Sequence, residues 1–132
     1  MNVNGFHHAA IEARDVEKVA AFFRDVLGLP EVVRHHRPDG TLRSIWLAAA
    51  TDAEPGAPFI AVEEQPTHGV HAGAGWFMVA LSISAHQRAA IHQTLVERGV
   101  KIDKETRWTI FVRDPEGNLV GLSHYPADPV GT

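Results

Sequence analysis

The chain has 132 residues, 45% of them hydrophobic and 21% charged, which are the proportions of a folded domain large enough for its own core. Twelve basic against sixteen acidic side chains leave a formal charge of −4, so no general phosphate-binding surface is expected and nucleic acid is not an expected partner. The absence of cysteine removes disulfides, thiol nucleophiles and thiolate metal sites; the polar start Met1-Asn2-Val3-Asn4 and the lack of a long apolar run predict a cytoplasmic protein with no membrane partner.

In chain order, Phe6 to Ala13 predicts a first strand, with His8, Ala10 and Glu12 on one face and His7, Ala9, Ile11 and Ala13 on the other. On that parity the neighbouring His7 and His8 do not form a joint chelate, and His7 is expected at a core edge or an interface. Asp15 is placed to cap a helix over Val16 to Leu27, whose Val16, Val19, Ala20, Phe23, Val26 and Leu27 form an apolar stripe, and Gly28 stops it. Strands are expected at Glu31 to His36 and Leu42 to Ala49, joined by the turn Arg37-Pro38-Asp39-Gly40. In the second of these, Ser44, Trp46 and Ala48 share a face. A loop from Asp52 to Pro58 precedes a further strand, Phe59 to Glu64.

The order then repeats. Pro66 to Gly75, rich in glycine and proline, reads as a connection, and Trp76 to Ser84 echoes the opening strand with Met78 at the place of His8. His86 to Arg98 predicts the matching helix, packing through Ala89, Ala90, Ile91, Leu95 and Val96 and ending at Gly99. Val100 to Asp103, Trp108 to Arg113 and Leu119 to His124 complete the set, the last two joined by the turn Asp114-Pro115-Glu116-Gly117-Asn118. The expected organisation is α+β: a first βαβββ module over 1–65, a connection over 66–75, a second module over 76–126 and a tail over 127–132.

Three segments carry a resemblance to a known family: His7-His8-Ala9-Ala10-Ile11-Glu12-Ala13-Arg14-Asp15-Val16, the helix end Phe22-Phe23-Arg24-Asp25-Val26-Leu27-Gly28-Leu29, and Asp114-Pro115-Glu116-Gly117-Asn118-Leu119-Val120-Gly121-Leu122. With them the chain resembles the vicinal oxygen chelate superfamily, which includes glyoxalase I, bleomycin-resistance proteins, fosfomycin-resistance enzymes and extradiol dioxygenases. The resemblance implies paired modules with curved sheets around a cavity, and a homodimer. It also implies metal-ligand positions at His8, Ala61, Met78 and Gly121, of which only the first carries a ligand of the usual kind. Glu63 has the strand parity of Ala61, and Ser123 that of Gly121; His124 turns inward only if a bulge intervenes.

Three readings follow. The favoured one is a protein that binds or sequesters a small organic molecule, as bleomycin-resistance members do, with His8, Trp46, Glu63 and Met78 lining the pocket and no cofactor. The alternative is a glyoxalase-like lyase, isomerase or dioxygenase in which His8 or Glu63 moves a proton and both help hold a divalent metal in an altered site. The third is a structural or regulatory dimer whose inherited cavity is filled by its own side chains. Trp108, Phe111, Arg113 and Tyr125 are expected near the second sheet, in packing, dimer contact or pairing with a nearby acid.

Overall fold

The computed structural model describes residues 1–2, 4–64 and 78–128. The chain divides into two compact units, Met1–Val70 and His71–Thr132. The expected connection over 66–75, the first two residues of the echoed strand and the end of the tail lie outside the described residues.

The first unit runs β1 (His8–Ala13), α1 (Val16–Ala21), a π-helical turn (Phe22–Val26), β2 (Glu31–His36), β3 (Leu42–Ala48) and β4 (Phe59–Glu64). The second runs β5 (Met78–Ser82), a 3-10 turn (Ala85–Gln87), α2 (Arg88–Glu97), β6 (Ile102–Glu105), β7 (Thr109–Arg113) and β8 (Leu119–Ser123). Their sheets have matching orders, β1-β4-β3-β2 and β5-β8-β7-β6, with the first pair of each parallel and the others antiparallel. Two tandem βαβββ modules with mixed sheets are therefore present, as the repeat predicts.

Each sheet has a helix side because alternate strand residues are apolar. In the first unit Ile45, Leu47, Ile60 and Val62 are buried together with Val16, Val19, Ala20, Phe22 and Phe23 of the helical segment. Asp15 caps that segment by accepting a hydrogen bond from Lys18 N–H at 3.0 Å. The expected single helix to Leu27 instead widens after Ala21 into the π-helical turn. This turn buries both consecutive rings, Phe22 and Phe23, which meet edge to face at 5.3 Å. Gly28, at φ 76°, then reverses the chain, and Leu29 N–H bonds back to Phe23 C=O.

The second helix departs further from expectation. Only Leu95 of α2 is buried, while Ala89, Ala90 and Val96 are exposed. The stripe of partly covered residues at helical spacing is Arg88, Ile91, His92 and Leu95, so half of it is polar. Arg88 donates to Arg107 C=O at 3.0 Å, to Thr106 C=O at 2.9 Å and to Glu105 at 3.3 Å, and His92 sits 3.4 Å from the same Glu105. A polar clamp to the β6–β7 turn replaces much of the apolar packing expected there.

Candidate functional site

The face of the first sheet opposite α1 is set by register. β1 and β4 pair His8 with Phe59, Ala10 with Ala61 and Glu12 with Glu63, while β3 sets Ala48, Trp46 and Ser44 against Phe59, Ala61 and Glu63. β2 adds Val33 beside Trp46 and His35 beside Ser44. Alanines at 10, 48 and 61 leave room for the large rings between them, and diagonal neighbours on adjacent strands come within reach.

The rings use that space as a continuous row. Trp46 stacks on Phe59 with centroids 4.4 Å apart and planes 18° from parallel, and Phe59 stacks on His8 at 4.9 Å and 3°. His35 meets Trp46 edge-on at 4.6 Å. His7 closes the row by packing edge-on against both His8 and Phe59, at 5.2 and 5.5 Å.

This last contact corrects the parity expectation for His7. The strand begins at His8, so His7 lies before the regular alternation and its side chain is not held to the opposite face. Its Nδ1 is 2.9 Å from His8 Nδ1, a contact in which one imidazole donates and the other accepts.

Beside the rings lies a polar row, His35, Ser44, Glu63 and Glu12 in register across β2, β3, β4 and β1. Among the described residues His35 Nε2, Ser44 Oγ and Trp46 Nε1 are buried without a hydrogen-bond partner, and Ser44 is 0% exposed. The corresponding place in the second unit is satisfied from within: Thr109 Oγ1 donates to Ser123 Oγ at 3.0 Å, these two being register partners as Ser44 and Glu63 are. The two sheets thus share a backbone plan and differ in whether their inner polar row is closed.

Of the residues singled out from the sequence, His8, Trp46 and Glu63 fall on this one face, and Met78 falls on the corresponding face of the second sheet, opposite Leu119. His8 and Glu63 are not brought together: four residues of β4 register separate them, about 13 Å along a strand. Phe59, His35 and Ser44 were not singled out. Phe59 has the parity of Glu63, and Ser44 that of Trp46, so alternation alone could have found both; His35 sits between irregularities in the β2–β3 pairing that interrupt the count.

The family resemblance raises the question of a divalent metal, and the donor set does not fit one. The positions that the resemblance implies as ligands hold an imidazole, His8, and a methyl group, Ala61, in the first unit, and a thioether, Met78, and Gly121 in the second. A Cβ built at Gly121 would already meet Thr109 Cγ2 at 3.4 Å and Ala80 Cβ at 3.5 Å. Among the described residues no three His, Asp or Glu side chains are grouped to hold an ion.

His124 is committed elsewhere. It is buried, its Nδ1 lies 2.7 Å from Ala127 C=O and its Nε2 lies 2.9 Å from Arg88 Nη1. The carbonyl takes Nδ1–H, which leaves Nε2 as the acceptor for the guanidinium. The outward direction expected from strand parity holds, and the side chain is a satisfied structural one. Arg113 likewise pairs with Asp103 and Gly117 C=O, not with its neighbour Asp114. Asp114 instead locks its turn by accepting from Glu116 N–H, Asn118 N–H and Asn118 Nδ2.

Several solved structures share the fold. A glyoxalase/dioxygenase from Nostoc punctiforme aligns with TM-score 0.74 at 14% identity, covering 96% of this chain and 94% of that one. Lactoylglutathione lyase from Agrobacterium tumefaciens gives 0.67 at 16% identity, covering 95% and 96%. The fosfomycin resistance protein FosX from Listeria monocytogenes, in complex with Mn(II) and sulfate, gives 0.67 at 18% identity, covering 93% of each chain. At these identities the likeness is one of fold. No curated protein matches the sequence significantly. A family profile matches residues 5–122, nearly the full span of both βαβββ units, and the chain belongs to the Glyoxalase/Bleomycin resistance protein/Dioxygenase superfamily.

Proposed function

We propose that the protein binds or sequesters a small organic molecule on the inner face of its first sheet, without a catalytic metal. The observation that carries this reading is the row Trp46, Phe59 and His8, stacked and bordered by buried polar atoms that no described residue satisfies. A row of stacked rings offers an apolar wall of ring edges, and unpaired polar atoms beside it give an organic ligand its orientation. A buried hydroxyl or ring N–H without a partner costs about 1–3 kcal/mol, and a ligand group that pairs with it recovers that cost on binding. In this reading His8, Trp46 and Glu63 contact the ligand, while Met78 lies at the corresponding place of the second sheet's own face.

The enzyme alternative, a lyase, isomerase or dioxygenase with a His8 and Glu63 metal site, draws no support from the separation of those two residues in the register. A homodimer accompanies the binding reading, and exposed Phe6 and Val32 of the first unit supply apolar surface for pairing. Native mass spectrometry and metal analysis of the purified protein provide the test. A retained organic molecule, absent from the Trp46→Ala variant, is the expected result; a stoichiometric divalent metal would overturn the metal-free reading.

A further inference from the structure

The two helices are held to their sheets by different means. In the first unit the helical segment buries Val16, Val19, Ala20, Phe22 and Phe23, whereas α2 buries only Leu95 of its ten residues. Apolar burial is what ordinarily fixes a helix on a sheet, so most of that hold is missing from α2. Neither Ser84, before the 3-10 turn, nor Gln87, before α2, caps the helical segment with its side chain.

The remaining hold is polar and sits at one end. Arg88, the first residue of α2, has a side chain only 17% exposed. Its guanidinium reaches Glu105 at the end of β6, the C=O groups of Thr106 and Arg107 in the β6–β7 turn, and His124 Nε2 just past β8. One turn further along α2, His92 meets the other oxygen of the same Glu105 carboxylate. A planar fork that fills several acceptors holds its geometry well, and all of its bonds are lost together when that one side chain leaves.

The chain on either side of the helix is pinned to the sheet by separate bonds. Ile83 N–H donates to Ser123 C=O at 2.9 Å, and Arg113 N–H donates to Lys101 C=O at 3.1 Å. Between these points α2 has a turn at each end, the 3-10 turn Ala85–Gln87 and Gly99 at φ 68°. The ladders of β5-β8-β7-β6 are backbone to backbone and draw nothing from the helix.

We propose that α2 is a latched flap: it opens as a unit between Ile83 and Lys101 while the second sheet stays folded, and Arg88 is the latch. Glu105 is the register partner of Ile110, and Ile110 that of Leu122, so the clamp lies on the apolar side of the sheet. Opening withdraws Leu95 and uncovers that side, where Ile110, Val112, Val120 and Leu122 are buried. An element with few buried apolar contacts opens at a lower free energy than the whole domain.

Hydrogen exchange of the full chain, followed amide by amide in NMR across low urea concentrations, provides the test. In the wild type the α2 amides are expected to exchange at least about tenfold faster than those of β7 and β8, and with weaker urea dependence, because local opening exposes less surface than global unfolding. Equal rates and equal urea dependence in α2, β7 and β8 would refute the flap. Arg88→Met keeps a long stem but removes the fork, and is expected to speed α2 exchange by a further factor of about ten or more. If that variant speeds β7 and β8 while α2 exchange is unchanged, the fork survives opening and Arg88 is not the latch. Should Arg88→Met fail to fold, Glu105→Gln, which weakens the fork without removing it, carries the same two outcomes.

Discussion

Ser44→Ala should make the protein more stable. Its hydroxyl is fully buried with no partner among the described residues, so the folded state carries a desolvation cost that the unfolded chain, bonded to water, does not. That cost is about 1–3 kcal/mol; deleting one heavy atom forfeits several dispersion contacts of about 0.1–0.2 kcal/mol each, up to about 1 kcal/mol together. The expected net gain is about 0.5–2 kcal/mol, or about 2–8 °C in Tm for a chain of this length. The matching change in the second unit, Ser123→Ala, should have the opposite sign, because it removes the acceptor of the Thr109 Oγ1 hydrogen bond and strands a hydroxyl that is only 9% exposed. Urea unfolding followed by circular dichroism measures both shifts under the same conditions. A loss of stability in Ser44→Ala equal to that in Ser123→Ala would show that Ser44 Oγ is satisfied in solution, and the contrast between the two polar rows would disappear.

Three other outcomes are expected. Trp46→Phe should keep stacking on Phe59 while deleting the unpaired indole N–H, so an organic molecule retained by the wild type should still be seen in native mass spectrometry, whereas Trp46→Ala should lose it. His124→Ala should destabilise by about 2–4 kcal/mol in thermal unfolding, since it empties a buried site and leaves Arg88 Nη1 without one of its acceptors. On the outer surface, hydrogen bonds from Arg34 and then Arg24 hold Glu31 below the usual carboxylate range, so its folded value lies under its unfolded one. The stability this contributes is complete above the unfolded value, near 4.3, and is lost as pH falls through the folded one. Because these groups are substantially exposed, Arg34→Met should cost no more than about 1 kcal/mol per pair, less at high salt. The difference in Cm between wild type and Arg34→Met should vanish at acid pH, and a constant difference across that range would show that packing, not charge, is responsible.

Fold was legible where local chemistry and alternation agree. Asp15, Gly28 and the apolar stripe between them announce a helix, and the alternation through Leu42 to Ala48 and Phe59 to Glu64 settles which side faces it. The repeat then carries the same plan to the second unit. What escaped was decided by packing. Nothing in the local sequence around Phe22 and Phe23 distinguishes an α-helical turn from a π-helical one until both rings must be buried. The exposed Ala89, Ala90 and Val96 were misread because Arg88 and His92, polar residues, occupy the face that meets the β6–β7 turn. At the candidate site, the family resemblance brought His8, Trp46 and Glu63 to one pocket, but the order of strands is needed to see that Phe59 lies between two of them and that Ser44 neighbours the third.

The comparison of the two sheets gives the departure from the family's metal positions a physical meaning. At the place of the last familiar ligand, Gly121 lies among Ala80 and Thr109, and the adjacent hydroxyls bond to each other, so that face has become self-sufficient. At the equivalent place in the first sheet, Ala61 also lacks a donor, yet the change did not close the face. Its methyl group leaves space beneath which Trp46 reaches across to Phe59, and the polar atoms on either side stay unpaired. A small side chain at this place makes room for a ring, and in the first sheet the polar atoms beside that ring have no partner among the described residues. Unpaired buried groups persist at a cost to stability, and the stability gain expected of Ser44→Ala is therefore expected to come with weaker ligand binding, the same substitution read in two assays.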